Sequence, residues 1–165
     1  MITIEKTIKE LSKFSNQILE FNKPVEPVLI KEFENKYGLT LPNDYKFLLE
    51  TTNGFSLIGT RVLGLHGNEN IDSLEMVYKF EHFEVINPQP TYLIPFCNDG
   101  RGNFYCFDTL KQSKDGNSCS IVFWQSDIDY SNQEPEIVNE NLSDWIDEVV
   151  IQWTLEDYDY DGNEK

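Results

Sequence analysis

Apolar side chains at the start of the chain recur at the spacing of a helix. Ile4, Ile8, Leu11 and Ile18 share one face over roughly residues 3 to 20, with Phe14 at its border, and Asn22 and Pro24 end the run. A second helix is signalled by Glu26-Pro27, where proline suits the first turn. It carries Leu29, Ile30, Phe33 and Tyr37 on one stripe and Gly38 as its stop. After Leu39-Thr40-Leu41-Pro42 a third helix over roughly residues 42 to 51 presents Tyr45, Leu48 and Leu49, and Asn53-Gly54 supplies the left-handed turn that halts it.

Beyond residue 54 the period changes. Arg61-Val62-Leu63-Gly64 reads as a short strand, and Ile71 to Phe80 is ambiguous, with a helix as one reading. Tyr92-Leu93-Ile94-Pro95-Phe96 and Asn103-Phe104-Tyr105-Cys106-Phe107 are the arms of a β-hairpin whose turn is Asn98-Asp99-Gly100-Arg101-Gly102. Ser120-Ile121-Val122-Phe123-Trp124 is a further strand after the polar loop Lys111 to Ser118. A last helix over about residues 142 to 154 places Leu142, Trp145, Ile146, Val149 and Trp153 on one face, capped by Asn141 with Asp144 near its N-terminus. N-terminal helices, a central mixed or antiparallel β-sheet and a C-terminal helix make a single α+β domain. Its expected extent is residues 1–155, with residues 156–165 as an acidic, frayed C-terminal tail.

Composition supports folding and restricts the partners. The chain has 165 residues, 39% hydrophobic and 13% aromatic, too rich in apolar groups for a disordered acidic chain. Its net charge of −16 is unevenly spread: residues 1 to 114 carry 15 acidic and 12 basic side chains, whereas residues 115 to 164 carry 14 acidic and none basic. Such a field repels nucleic acid and anionic lipid and favours a basic partner. The N-terminal stretch lacks a secretory pattern and no run reaches the length of a membrane span, so a cytoplasmic location is expected. Cys97, Cys106 and Cys119 are odd in number and widely spaced, which suits free thiols in a reducing compartment.

No catalytic set, metal site or cofactor motif emerges. Asp157-x-Asp159-x-Asp161-Gly162 matches the first half of an EF-hand loop, but the twelfth-position glutamate and the exiting helix have no residues to form them. The glycines after Asp99 lack the Gly-Lys-Ser/Thr ending of a phosphate loop, and a hairpin accounts for them. His66 and His82 sit in no zinc-protease or nucleophile–base pattern, and acidic pairs such as Asp127 and Asp129 arise from composition.

Three stretches taken together resemble the SMI1/KNR4, or SUKH, family, from about Glu26 to the last helix. The first runs from Ile30 to Tyr45, with Gly38, Leu41-Pro42 and Asp44-Tyr45, and continues through Leu48-Leu49 to Asn53-Gly54. The second is Ile94 to Asp108, containing Asp99, Gly100 and Gly102; the third is Ile121 to Trp124, with Asp127 shortly after. Asn103 stands where the family often has Asp, and Ser126 where a His commonly precedes the Asp, so no polar site is carried over to that region. The resemblance implies an α+β fold and a binding role. Small bacterial members resemble immunity proteins encoded beside polymorphic toxins, often nucleases, and larger fungal members are regulatory scaffolds.

The expected function is therefore that of a non-enzymatic antitoxin whose partner is a cognate toxin with a basic surface. A nuclease must present a basic groove to phosphates, and an acidic inhibitor is drawn to the same groove. Asp127, Asp129, Glu134 and Glu136, in or beside loops, and Asp157 and Asp159 in the tail are the candidate contacts, with Tyr130 and Tyr158 as exposed anchors. Asp144, Asp147 and Glu148 read as the solvated face of a helix. The alternative is an intracellular scaffold or regulatory module, which requires no acidic bias.

Overall fold

The computed structural model describes residues 2–66 and 72–165. Helix α1 (Ile4–Leu11) begins at Thr3, whose hydroxyl accepts from the Lys6 N–H, and it buries Ile4, Thr7 and Leu11. It ends well before residue 20. The Ser12 hydroxyl turns back onto the Ile8 carbonyl at 2.8 Å, and the polar run from Ser12 to Gln17 forms turns. The apolar spacing continues to Ile18 only by coincidence, because strand β1 (Leu19–Phe21) follows directly.

Helices α2 (Pro27–Tyr37) and α3 (Asn43–Thr51) lie where periodicity places them. Between them Gly38 adopts φ 64°, and the buried Glu34 carboxylate accepts from the Leu41 N–H at 2.8 Å. That bond closes the turn leading into Leu41-Pro42. At the end of α3, Gly54 has φ 71°, and a Cβ there would lie 2.3 Å from the Val62 carbonyl oxygen. Asn53 clamps the same crossing, its side chain accepting from the Leu65 N–H at 2.7 Å and donating to the His66 carbonyl at 2.9 Å. The Asn-Gly pair thus serves a close backbone approach as well as a helix stop.

The α+β architecture is as expected, its strands forming two antiparallel sheets. The smaller has the order β1-β2-β3, with β2 (Phe55–Leu57) and β3 (Thr60–Val62) forming a hairpin. The larger has the order β4-β5-β6-β7, from β4 (Leu93–Asn98), β5 (Phe104–Gln112), β6 (Cys119–Trp124) and β7 (Glu136–Asn139). The Leu63 N–H donates to the Phe96 carbonyl at 2.8 Å and joins the two. Register divides the large sheet into faces. Phe107 opposite Ile121 and Tyr105 opposite Phe123 face the helix layer, where Trp145, Phe96 and Tyr45 complete an aromatic core. Phe104 opposite Trp124, Cys106 opposite Val122 and Asp108 opposite Ser120 share the other face.

The ambiguous stretch is helical where it is described: α4 (Leu74–Lys79) runs into a π-helical turn, Phe80–Glu84, and Ile71 lies outside the described residues. The C-terminal helix is likewise composite, α5 (Leu142–Trp145), a π-helical stretch Ile146–Gln152, and α6 (Trp153–Asp157). Hydrogen bonds from i to i+5 add about one residue per turn, so the inward face shifts by one position. Val150 and Ile151 are buried, while Val149 is only partly covered and Trp153, expected inside, is exposed.

The two glycines make opposite predictions for the same substitution. Gly54→Ala combines a left-handed φ with a backbone collision and should cost about 3 kcal/mol or more, whereas Gly38→Ala, with open space around it, should cost about 1 kcal/mol. Urea midpoints of the two variants check this, and equal losses would contradict the role given to the 54/62 crossing.

Candidate partner-binding surface

The acidic segment after β6 is built on an aromatic stack. Trp124 packs against Tyr130 at 4.4 Å between ring centroids, and the Gln125 N–H donates to the Tyr130 hydroxyl at 2.9 Å. The ring is therefore half-buried and holds the 125–135 loop over the second face of the large sheet. It is not the exposed anchor expected. Asp127 and Asp129 remain exposed on this loop, Asp129 accepting from the Ser131 N–H. Glu134 forms an ion pair with Lys111 at 2.8 Å, and Lys111 also lies 3.6 Å from Asp108. Glu136 stands on a strand, opposite Phe123, and β7 is the last strand of its sheet.

Carboxylates line this edge and continue onto the C-terminal helix. Asn139 donates to Glu148 at 2.8 Å, which ties β7 to the helix, and the Asn141 side chain accepts from the Asp144 N–H as its N-cap. Of the fourteen acidic residues between 115 and 164, only Glu134 has an ion-pair partner among the described residues.

The tail is folded, in contrast to the frayed segment expected. The Ser15 N–H donates to the Tyr160 carbonyl at 2.8 Å, the Tyr160 hydroxyl donates to Glu10 at 2.6 Å, and its ring meets Phe14 at 4.7 Å. Gly162 lies so close to Ile18 that a Cβ would approach it to 2.6 Å. Tyr158 is half-buried at the helix end, and its backbone bridges to Glu164. Asp159 accepts from the Asp161 N–H, the Asn163 N–H and the Asn163 side chain, and its carboxyl is held below the usual range, chiefly by the Asn163 backbone. Both oxygens thus close their own loop instead of converging with Asp157 and Asp161. Asp99 does the same with Arg101 and Asn103, in another Asp-x-x-Gly-Asn turn. No hydrogen bond or aromatic contact among the described residues joins the 157–159 group to the 127–136 group.

Sequence reading missed a groove where the N-terminal ends of α1, α3 and α5 meet the β5–β6 turn. Thr3, Glu5, Asn43, Asp44, Asp115 and Asn141 lie along it. Asp44 is buried and its Oδ1 accepts from the Tyr45 N–H at 2.7 Å, while the polar groups of Ser118 and Leu142 beside the carboxylate favour its charged form. Ser118 in turn accepts from the Leu142 N–H at 3.1 Å. Burial pushes the Asp44 carboxyl up to about 6 against these bonds, with Asp115 adding in the same direction. In the sequence Asp44 is marked only as part of the Asp44-Tyr45 pair, since an isolated Asp at a helix start is common.

Thiol chemistry has no favourable setting. All three cysteines are buried, and burial raises the Cys97 thiol to about 12 and the Cys119 thiol to about 11, with Cys106 well above its ordinary value. Among the described residues no group of three or more His, Cys, Asp or Glu is arranged to hold a metal ion, and no helix is long and apolar enough to cross a membrane.

A family model described as SMI1-KNR4 cell-wall matches residues 4–151. The chain belongs to the SMI1/KNR4 family. It is 30% identical over 131 residues to YnaB of Bacillus subtilis (strain 168), an uncharacterized protein, covering 79% of each. Its fold is similar to the crystal structure of a protein from Pseudomonas syringae pv. tomato, with a TM-score of 0.63 at 16% identity over 90% of this chain and 98% of that one.

The positions that carry the SMI1/KNR4 resemblance have structural duties here. Leu41 and Tyr45 are fully enclosed, Gly38 and Gly54 take left-handed conformations, and Trp124 seats Tyr130. The two departures from the family pattern touch each other. Asn103 donates to Asp99 at 2.9 Å and accepts from the Ser126 N–H at 3.0 Å, a combination of donor and acceptor that an ionised Asp at 103 lacks.

Asp44 sets a pH dependence of stability. A folded-state pKa near 6 against an ordinary 3.8 means that the folded chain binds more protons between those values, so stability falls as pH rises through that window and levels above it. Asp44→Asn removes this slope. Its stability relative to wild type should improve by about 2–3 kcal/mol on going from pH 3.5 to pH 7, measured by denaturant unfolding at both. A difference independent of pH would show that the carboxylate ionises normally.

Proposed function

We propose that this SMI1/KNR4 chain is an immunity protein that neutralises a cognate toxin, a nuclease by preference, by binding its basic surface. The supporting observation is the carboxylate edge formed by the 125–135 loop, β7 and the C-terminal helix, the larger part of a 115–164 segment that carries 14 acidic residues and no Lys or Arg. A nuclease gathers phosphates in a basic cleft, and a surface of this sign competes for the same charges and speeds encounter. Tyr130 fixes the loop that carries Asp127 and Asp129, so less conformational freedom is lost on association than for a mobile tail. The contact set is accordingly Asp127, Asp129 and Glu136, with Glu134 partly neutralised by Lys111.

Co-expression with the C-terminal toxin domain encoded immediately upstream tests the role: growth should be rescued and the two chains should co-purify in a fixed ratio. Failure of both with a toxin active on its own would leave the scaffold reading in place. Charge reversal at Asp127, Asp129 and Glu136 together should slow association at least roughly tenfold at low salt, and the wild-type rate should fall as salt is raised. Stopped-flow or surface-based kinetics provide the readout, and rates insensitive to both changes would remove this surface from the interface.

A further inference from the structure

The 74–84 helix turns apolar side chains outward as well as inward. Leu74, Val77 and Tyr78 are buried, yet Met76 and Phe80 are about half exposed, at 49% and 50%. Together with Val77 and the edge of Phe104 they line an open groove of about 480 Å³. Phe83 on the same helical segment is 62% exposed and stacks on Tyr37. Scattered apolar side chains are ordinary on a protein surface, but several on two turns of one helix beside a groove form a patch of the kind that marks a contact site.

The rim of the groove is acidic. Asp72, Glu81 and Glu84 border it, and its one cation among the described residues, Lys79, lies 3.9 Å from Glu84. Glu81 has no opposite charge beside it among the described residues, and its partial burial raises its carboxyl above the ordinary value. The groove also adjoins the acidic loop through the sheet: Phe104, in its wall, is the register partner of Trp124, on which Tyr130 and the 125–135 loop are seated.

We propose that this groove is the apolar centre of the partner interface, receiving an apolar side chain from a basic protein surface whose surrounding Lys or Arg residues meet Asp72, Glu81 and Glu84. The inference rests on the reading of the chain as an inhibitor of a basic protein and adds the anchor that an acidic edge alone does not supply. Charge complementarity selects this occupant over a second copy of the chain, since two molecules of net charge −16 repel.

A synthetic amphipathic peptide of Leu and Lys, and its Leu and Glu counterpart, probe the groove without the toxin. Titration calorimetry should show binding of the Leu–Lys peptide to the wild-type chain, weakened at least tenfold by Phe80→Ser and, separately, by Met76→Ser, with the melting temperature of each variant confirming the fold. Binding unchanged in both folded variants, absent altogether, or equal for the Leu–Glu peptide would overturn the proposal. So would a dimer in analytical ultracentrifugation that Phe80→Ser disperses, because the occupant would then be a second copy. Groove binding that persists while the toxin fails to co-purify would overturn the inhibitor reading and leave the groove assigned to another basic protein.

Discussion

A phenol hydroxyl sealed from water must find an acceptor inside the protein, and Tyr45 finds the Leu63 carbonyl at 2.6 Å. That bond joins α3 to the chain segment leaving β3, while the Tyr45 ring lies against Phe96 and Phe107 of the large sheet. The Leu63 N–H donates in turn to the Phe96 carbonyl, so helix, small sheet and large sheet meet around one residue. The Asn53 clamp and the absence of a side chain at Gly54 allow the 62–65 segment to come close enough for the hydroxyl to reach it. Replacing the pair Asn53-Gly54 therefore acts on the core, even though these residues lie at a turn. The N-terminal end of α3, held by Asp44 and Ser118, fixes where α5 starts, and through α5 the whole C-terminal helix.

The core so assembled draws on few of the charges. Glu34 and Asp44 are bound into it, and Asp99 and Asp159 close turns; the remaining carboxylates after residue 115 face solvent with one ion pair among them. Closely spaced like charges weaken a compact state. Their concentration in one stretch of the chain is thus a cost to stability that solubility alone does not require, since a smaller and dispersed excess keeps a domain in solution.

How much of this was legible in the sequence depended on whether the deciding interaction was local. Helices α2 and α3, with Pro27, Gly38 and Gly54 at their ends, and the hairpin around Asp99 to Gly102 could be read because each is specified by residues within a few positions. The end of α1 could not, since Ser12 competes for a backbone carbonyl in a way that leaves the apolar period intact. Strands β1, β2 and β7 have three or four residues each, too short for alternation to separate from noise, and they exist through partners distant in sequence. The exchange of Val149 for Val150 and the exposure of Trp153 follow from a π-helical turn that a fixed period of 3.6 cannot register. For the candidate contacts, the sequence shows where acidic residues gather and not how the neighbouring aromatics pack. Tyr130 looks like an exposed anchor in composition, but Trp124 packs against its ring.

An interface built only from the acidic edge would be fast and weak. Exposed charges speed encounter and discriminate against partners of the wrong sign, but their pairing energy in water is small and screened by salt. Tight complexes need a desolvated apolar centre, where affinity is set by dissociation and not by encounter. On this molecule an apolar exposure near the acidic loop is the side of the 74–84 helix bordered by Phe104, and both lie on the same face of the large sheet. On the proposed reading, the sheet places a steering element and an anchoring element side by side. Because Trp124 and Phe104 are cross-strand neighbours within a rigid ladder, their spacing is set by folding, before any partner arrives.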